Sequence, residues 1–500
     1  MKHYPTIHER FLRHIWSKQY LQSAELQTVD GRTVTVLNTG TLNTASGADF
    51  NGAKVRIGGI TYTGDVEIHR TADDWRKHGH QTDPRYNTTI LHVVLEGKSS
   101  DTKTIAASGR TIPVLVLEPF LPQSLREIWH KTILDERTTK VKTIPCSGKN
   151  DSVTVNTFDT LLKKLSTERL ELKIRRFDER LKELAEQRIQ SLQEPPRTYG
   201  EPPIEGAPEE VPLPSTEMPL HMLSRKEFWE QLVYEGIMEG LGYRKNREPF
   251  LKLARKLHLA MLKQYHVADT RNGLEGALYG AAGLIPSPRE MKEKESRVYA
   301  SSLQQEWDSL RPLLRVTPME QTEWHFFPTR PRNFPTLRIA AAASLIERLC
   351  IGEMFRDANQ ILKSPGKEQE KTQALEKLFT VKVSDFWLTH YNFDSSSPSS
   401  LAALGRSRIH DIIINTLIPV TLLHARKYKD RNAREAILKY YRNFPPLSEN
   451  SITQLIETQL FKSKGKLDGA SDQQGAIQLY KFYCSEGRCK ECLVEKRIKF

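Results

Sequence analysis

The chain has 500 residues, 38% hydrophobic and 27% charged, and its 74 Lys and Arg against 61 Asp and Glu give a formal charge of +13. This length predicts two to four domains. The sequence has no run of about 18 apolar residues to cross a membrane, and Met1-Lys2-His3-Tyr4-Pro5 does not open a signal peptide. With five cysteines and no evident disulfide framework, a reducing cytoplasmic location is expected.

In chain order, His8 to Leu21 places Phe11, Leu12, Ile15 and Trp16 on one side of an amphipathic helix. Glu25–Val29 and Thr33–Leu37 alternate about Asp30-Gly31, a hairpin turn signal, and Ala53–Ile57 and Ile60–His69 flank Gly58-Gly59. A short helix is expected over Asp73–His78, then strands at Thr89–Leu95 and Ile112–Leu117. Residues 126–193 read as a connecting segment and one long charged helix from Phe158 to Leu192. Residues 194–220 are rich in Pro and Glu and suit an extended linker. Residues 221–465 read as a helical module, with helices over Phe228–Leu241, Phe250–Gln264, Gly276–Leu284, Leu337–Met354, Lys371–Leu378, Arg408–His424 and Ala433–Tyr441. Residues 466–500 form a closing segment with three cysteines. The expected fold class is α+β, a mixed β-sheet domain over 1–125 followed by a large all-α region.

The chemistry concentrates in the first domain. Asp49, in Ser46-Gly47-Ala48-Asp49-Phe50, sits at the mouth of one expected strand. Glu67 and His69, in Gly64-Asp65-Val66-Glu67-Ile68-His69, share a face of the next. A pair of carboxylates at strand ends suits Mg²⁺ or Mn²⁺, which prefer oxygen ligands. Such an ion supports phosphodiester hydrolysis. A two-residue Gly58-Gly59 turn pairs positions so that Asp49 falls opposite Ile68, on the wrong face for Glu67. The site therefore requires Asp49 to precede the regular ladder or a bulge to intervene, and Gly47 and Gly52 permit either. His78 and His80 follow, and with His69 and His92 they place four imidazoles within 24 residues of a chain that has 15 in all. Catalytic roles are expected for Asp49, Glu67, His69, His78 and His80, with Asp49 and Glu67 as ligands of the cation.

These motifs, with Trp75-x-x-His78-x-His80 and Ile90-Leu91-His92-Val93-Val94, resemble a bacterial family catalogued as domain of unknown function 2851. Leu241-Gly242-Tyr243-Arg244-Lys245-Asn246, Tyr279-Gly280-x-Ala282-Gly283-Leu284 and Arg330-Pro331-x-Asn333-Phe334-Pro335 are similar to it too. The N-terminal domain more remotely resembles the PD-(D/E)XK nuclease superfamily, with Asp49 and Glu67 at its two acidic positions and His69 where the superfamily has Lys. That resemblance implies a metal-dependent nuclease acting on DNA or RNA. The alternative is a catalytically inactive nucleic-acid-binding or scaffold protein on a nuclease-like fold.

Cys484-x4-Cys489-x2-Cys492 is the second chemical signal, because three thiols in nine residues match metal-ligand spacing. Cys146 is the candidate fourth ligand, and Zn²⁺ or an iron–sulfur cluster is the expected occupant. Cys350 reads as a core residue. The positive charge lies mostly outside the first domain: residues 241–265 carry seven Lys and Arg against one acid, and residues 401–446 carry nine against three. Arg244, Lys245, Arg247, Arg406 and Arg408 are candidate phosphate contacts with a nucleic-acid partner.

Overall fold

The computed structural model describes residues 9–19, 21, 26–43, 47–97, 103–121, 144, 146–147, 155–193, 223–326, 331–397, 402–461, 466–486 and 492. Two units result, Met1–Glu136 and Arg137–Phe500. The architecture is α+β: a mixed sheet in the first unit and a predominantly helical second unit. The proline-rich stretch 194–220 lies outside the described residues.

In the first unit, helix α1 (Glu9–Lys18) precedes strands β1 (Leu26–Gln27), β2 (Thr33–Asn38), β3 (Thr41–Leu42), β4 (Phe50–Ile57) and β5 (Ile60–Thr71). Helix α2 (Asp74–Lys77) and two 3₁₀ turns lead to β6 (Thr89–Glu96); β7 (Thr104–Ile105), β8 (Thr111–Ile112) and β9 (Val114–Val116) follow. The sheet order is β1-β2-β4-β5-β6-β9, with β3 also on β4. The strands from β1 to β5 pair antiparallel, and β5-β6 and β6-β9 pair parallel. Crossing from β5 to a parallel β6 requires a connection over one face, and residues 72–88, with Trp75, His78, His80 and Tyr86, supply it.

The alternation of β5 divides its residues between two environments. Val66 and Ile68 join Phe50, Leu91, Val93 and Leu95 in a core that includes Leu12, Ile15 and Trp16 of α1. Glu67 and His69 point the other way, and both are buried.

The β4–β5 register decides where Asp49 falls. Pairing runs regularly from Ile57 opposite Ile60 to Ala53 opposite Gly64, and then Phe50 stands opposite Val66. Three steps on β4 match two on β5, so β4 carries one extra residue at Asn51-Gly52, a β-bulge. Gly52 has φ +68°, a left-handed backbone that costs a residue with a Cβ. Continued past the bulge, the new register sets Asp49 opposite Glu67. Of the two solutions the sequence left open, the bulge is present.

A Cβ at residue 52 meets nothing within 4 Å, so only backbone strain opposes substitution there. Gly52→Val is therefore expected to destabilise the first unit by about 1–2 kcal/mol, read from the urea midpoint of that unit's unfolding transition.

Candidate metal centre

Asp49 and Glu67 lock together through backbone and side chain. The Asp49 N–H donates to Glu67 Oε2 at 2.9 Å, and the Ile68 N–H donates to Asp49 Oδ2 at 3.2 Å. Arg13 of α1 places Nε 2.9 Å from Asp49 Oδ1. Burial, and then the neighbouring Glu67 charge, push the Asp49 carboxyl up to about 7 against the pull of Arg13. Both Asp49 oxygens thus serve Arg13 and the β5 backbone.

Glu67 Oε1 faces elsewhere. It lies 3.4 Å from His69 Nε2 and 3.3 Å from His80 Nε2, and His78 Nδ1 lies 3.1 Å from His69 Nε2. One nitrogen from each of His69, His78 and His80 lies within 4.8 Å of the other two. Donors bound tetrahedrally at about 2.0–2.1 Å stand roughly 3.3–3.4 Å apart. The three short separations fall close to those edges, and the His69, His78 and His80 nitrogens form a group able to hold a metal ion, with Glu67 Oε1 against His69 and His80. His69 and His80 are buried and His78 is exposed, so the cluster opens to solvent on the His78 side.

The surroundings orient these rings. His69 Nδ1 lies 2.9 Å from His92 Nε2, and His92 Nδ1 lies 2.7 Å from Thr104 Oγ1. A partner on the second ring nitrogen is what fixes a ligating histidine. His80 stacks on Tyr86, with ring centroids 3.8 Å apart. Trp75, edge-on to His69 and His80, anchors the covering segment by donating from Nε1 to Ile105 O at 3.0 Å. Asp74 holds the start of that segment by accepting from the Thr71 N–H at 2.9 Å and the Thr71 hydroxyl at 2.8 Å.

Burial, reinforced by the neighbouring imidazoles, pushes His69 down to about 2; burial and then His80 push His92 down to about 3. Both rings are neutral near pH 7, the state a metal ligand needs.

The model of the family described as Protein of unknown function (DUF2851) matches residues 9–192 and 215–450. The chain belongs to this family. No curated protein and no solved structure matches it. The DUF2851 match spans the whole histidine constellation, Arg13 and Thr104.

All five residues expected at the site in this DUF2851 member lie in the first unit. Glu67 Oε1 meets His69 and His80, His78 meets His69, and Asp49 stands beside Glu67 with its oxygens engaged. Sequence reasoning missed Arg13 and Thr104. Arg13 follows Leu12 on α1 and Thr104 lies in a two-residue strand, and neither carries a spacing signal.

In the second unit, Cys146, Cys492 and Cys484 belong to or pack against one cluster with Phe158, Leu161 and Ile477. Cys489 lies outside the described residues. The basic candidates are mostly committed to carboxylates. Arg247 pairs with Glu239 at 3.0 Å and Arg406 with Glu376 at 2.8 Å. Arg408 pairs with Asp411 at 3.1 Å. Lys245 is half-buried, and the side chain of Arg244 lies outside the described residues. Elsewhere in the basic stretch, Lys252, Arg255 and Lys263 meet Glu323, Glu235 and Glu230. No described helix is long and apolar enough to cross a membrane.

The two buried histidines set a pH dependence in metal-free protein. Unfolding returns both to their ordinary value of 6.5. Below that pH the unfolded chain binds more protons than the folded one, so their contribution is complete above about 6.5 and drains as pH falls toward 3. In EDTA, urea denaturation of the first unit should lose up to about 1.4 kcal/mol per histidine for each pH unit below 6.5. His92→Phe should flatten part of that slope.

Proposed function

We propose that the first unit is a divalent-metal-dependent hydrolase acting on phosphodiesters, a nuclease-type activity on DNA or RNA. The observation that carries this reading is the convergence of one nitrogen each from His69, His78 and His80, with Glu67 Oε1 against His69 and His80, beside solvent. Three nitrogens and one oxygen suit Zn²⁺, or Mn²⁺ as first expected, better than Mg²⁺, which takes oxygen ligands and keeps its waters. An ion of this class supplies Lewis acidity toward an ester oxygen and makes water acidic near neutral pH. The chain's own residues do the positioning. The Asp49 N–H orients Glu67, the His92–Thr104 relay orients His69, and the exposed His78 edge is the side from which an ester approaches. The order of helix, acidic hairpin, crossover and parallel strand agrees with the layout that the nuclease resemblance implies, which favours phosphodiesters among the esters.

Elemental analysis of full-length protein should find one Zn or Mn lost on His80→Ala or Glu67→Gln, while Asp49→Asn retains most of it. Cleavage of bis(p-nitrophenyl) phosphate, DNA and RNA should fall at least about 100-fold in the first two variants. Protein that binds no ion at this site, or variants that cleave as well as wild type, would sink the reading. The engagement of Asp49 by Arg13 favours the non-catalytic alternative, and nucleic-acid binding without cleavage in Zn²⁺, Mn²⁺ or Mg²⁺ would select it.

The placing of Cys146, Cys484 and Cys492 in or against one hydrophobic cluster, with the Cys484-x4-Cys489-x2-Cys492 spacing, supports a second, structural metal centre of Zn²⁺ or iron–sulfur type. Anaerobically purified protein should carry this metal in addition to the first, and Cys146→Ser should lose it while keeping the histidine-bound ion.

A further inference from the structure

Three segments far apart in sequence meet in the second unit around Tyr243. The helix Tyr243–Lys256 begins directly after Gly242, where a Cβ would stand 2.2 Å from Asn246 O. Tyr243 itself is held at φ +50°, an unfavourable backbone for a residue with a bulky side chain. The helix Pro335–Ile351 contributes Arg338 from its first turn, and the helix Arg406–Ile412 contributes Arg408. The Arg408 guanidinium lies 3.5 Å from the Tyr243 ring centroid and the Arg338 guanidinium lies 5.0 Å from it.

Arg338 is 4% exposed. It donates from Nη1 to Ala403 O at 2.6 Å, and from Nη2 to Asn333 Oδ1 at 2.7 Å and to the Tyr243 hydroxyl at 3.3 Å. All three acceptors are neutral. Among the described residues no carboxylate lies within ion-pair distance of Arg338, and the Arg408 guanidinium acts on it as a like charge. Burial and that like charge pull Arg338 down to about 10, with Tyr243 opposing. The Nε–H groups of both Arg338 and Arg408 are buried and have no hydrogen-bond partner among the described residues. A buried cation without an anion is costly. Two guanidinium groups gathered on one tyrosine ring, each with an unused Nε–H, offer donors of the kind the oxygens of a phosphate accept.

We propose that Arg338 and Arg408, arranged around Tyr243, bind a phosphate group, either free phosphate or the terminal phosphate of a nucleotide. The near-complete burial of Arg338 favours such a compact terminal group over the continuous backbone of a nucleic-acid strand. Asp411 already pairs with Arg408, so a single net positive charge remains and a monoanion or dianion is accommodated. The site belongs to the second unit, and the proposal does not depend on the function proposed for the histidine cluster.

The test is calorimetric titration of full-length protein with inorganic phosphate, AMP and adenosine, in EDTA at constant ionic strength. Phosphate and AMP should bind and adenosine should not. Equal affinity for the first two assigns free phosphate, and tighter AMP binding assigns a nucleotide's terminal phosphate. Arg408→Met should weaken binding at least tenfold. Arg338→Lys, which keeps the charge but loses the fork, should weaken it too, while Glu67→Gln and Arg406→Met should leave it unchanged. If neither phosphate nor AMP binds at 10-mM ligand, or if folded Arg408→Met binds as wild type does, the proposal is overturned. Loss of binding in Glu67→Gln would also overturn it, by moving the anion to the histidine cluster.

Discussion

One inserted residue governs the first unit. Without the bulge at Asn51-Gly52, the β4–β5 ladder would continue in its hairpin register and put Asp49 opposite Ile68. With it, Asp49 stands opposite Glu67. The ladder on the other side of β5 also slips at this height, since Asp65 pairs with Thr89 but Val66 with Leu91. The strand is therefore re-aimed where it enters the site, and the alternation beyond that point separates two kinds of surface. Val66 and Ile68 pack under α1, while Glu67 and His69 face the covering segment. A period-2 pattern makes this an all-or-none choice, because a slip of one residue exchanges the faces completely.

The proton arrangement along the histidine relay follows from counting donors. A neutral imidazole has one N–H and one lone pair. In one arrangement Thr104 donates to His92, His92 donates to His69, and His69 donates from Nε2 toward Glu67 Oε1. Every group is then satisfied without an ion. In the other, the relay runs outward: His69 donates from Nδ1 to His92, and His92 donates to Thr104. His69 Nε2 then turns a lone pair toward Glu67 Oε1, which is repulsive unless a cation lies between them, and toward His78 Nδ1, whose N–H can donate to it. Cation binding and the direction of the relay are thus coupled, and the Thr104 hydroxyl, able to donate or accept, permits both. Burial, with the neighbouring imidazoles, is what keeps His69 and His92 from taking a further proton.

Much of this was legible in the sequence because it rests on local spacing. Glu67-x-His69 on a strand and His78-x-His80 in the following segment are short-range patterns, and the hairpin at Gly58-Gly59 fixed most of the register. The bulge was legible only as a possibility, since Gly52 permits a left-handed backbone without requiring it. The identity of the donors was not legible. Arg13 reaches Asp49 from another element, so whether that carboxylate is free depends on tertiary packing. The helix Ala470–Phe482 went unrecognised for a related reason. Its buried positions include Gln473, Gln474 and Gln478, which read as surface residues. Inside the unit Gln474 Oε1 accepts from Arg169 at 2.8 Å and Lys173 at 2.6 Å, both on the long helix Val155–Gln193. A polar face that buries itself against another polar face leaves no hydrophobic period to read.

Charge in the second unit shows the same dependence on packing. Burial alone would raise the Glu235 and Glu239 carboxyls, yet Arg180 on the first and Arg176 with Arg247 on the second hold both below their ordinary values. These pairs tie the long helix Val155–Gln193 to the helix Lys226–Leu241 and draw in Arg255 and Arg247 from the next helix. The basic run over 241–265 is therefore largely an internal electrostatic frame, and its excess over the single acid in that window is balanced by acids from elsewhere in the chain. Net charge and charge density in a sequence window thus overstate the surface available to a polyanion. The informative cation is one that is buried and has no carboxylate within ion-pair distance among the described residues, and Arg338 meets both conditions while standing outside every basic window.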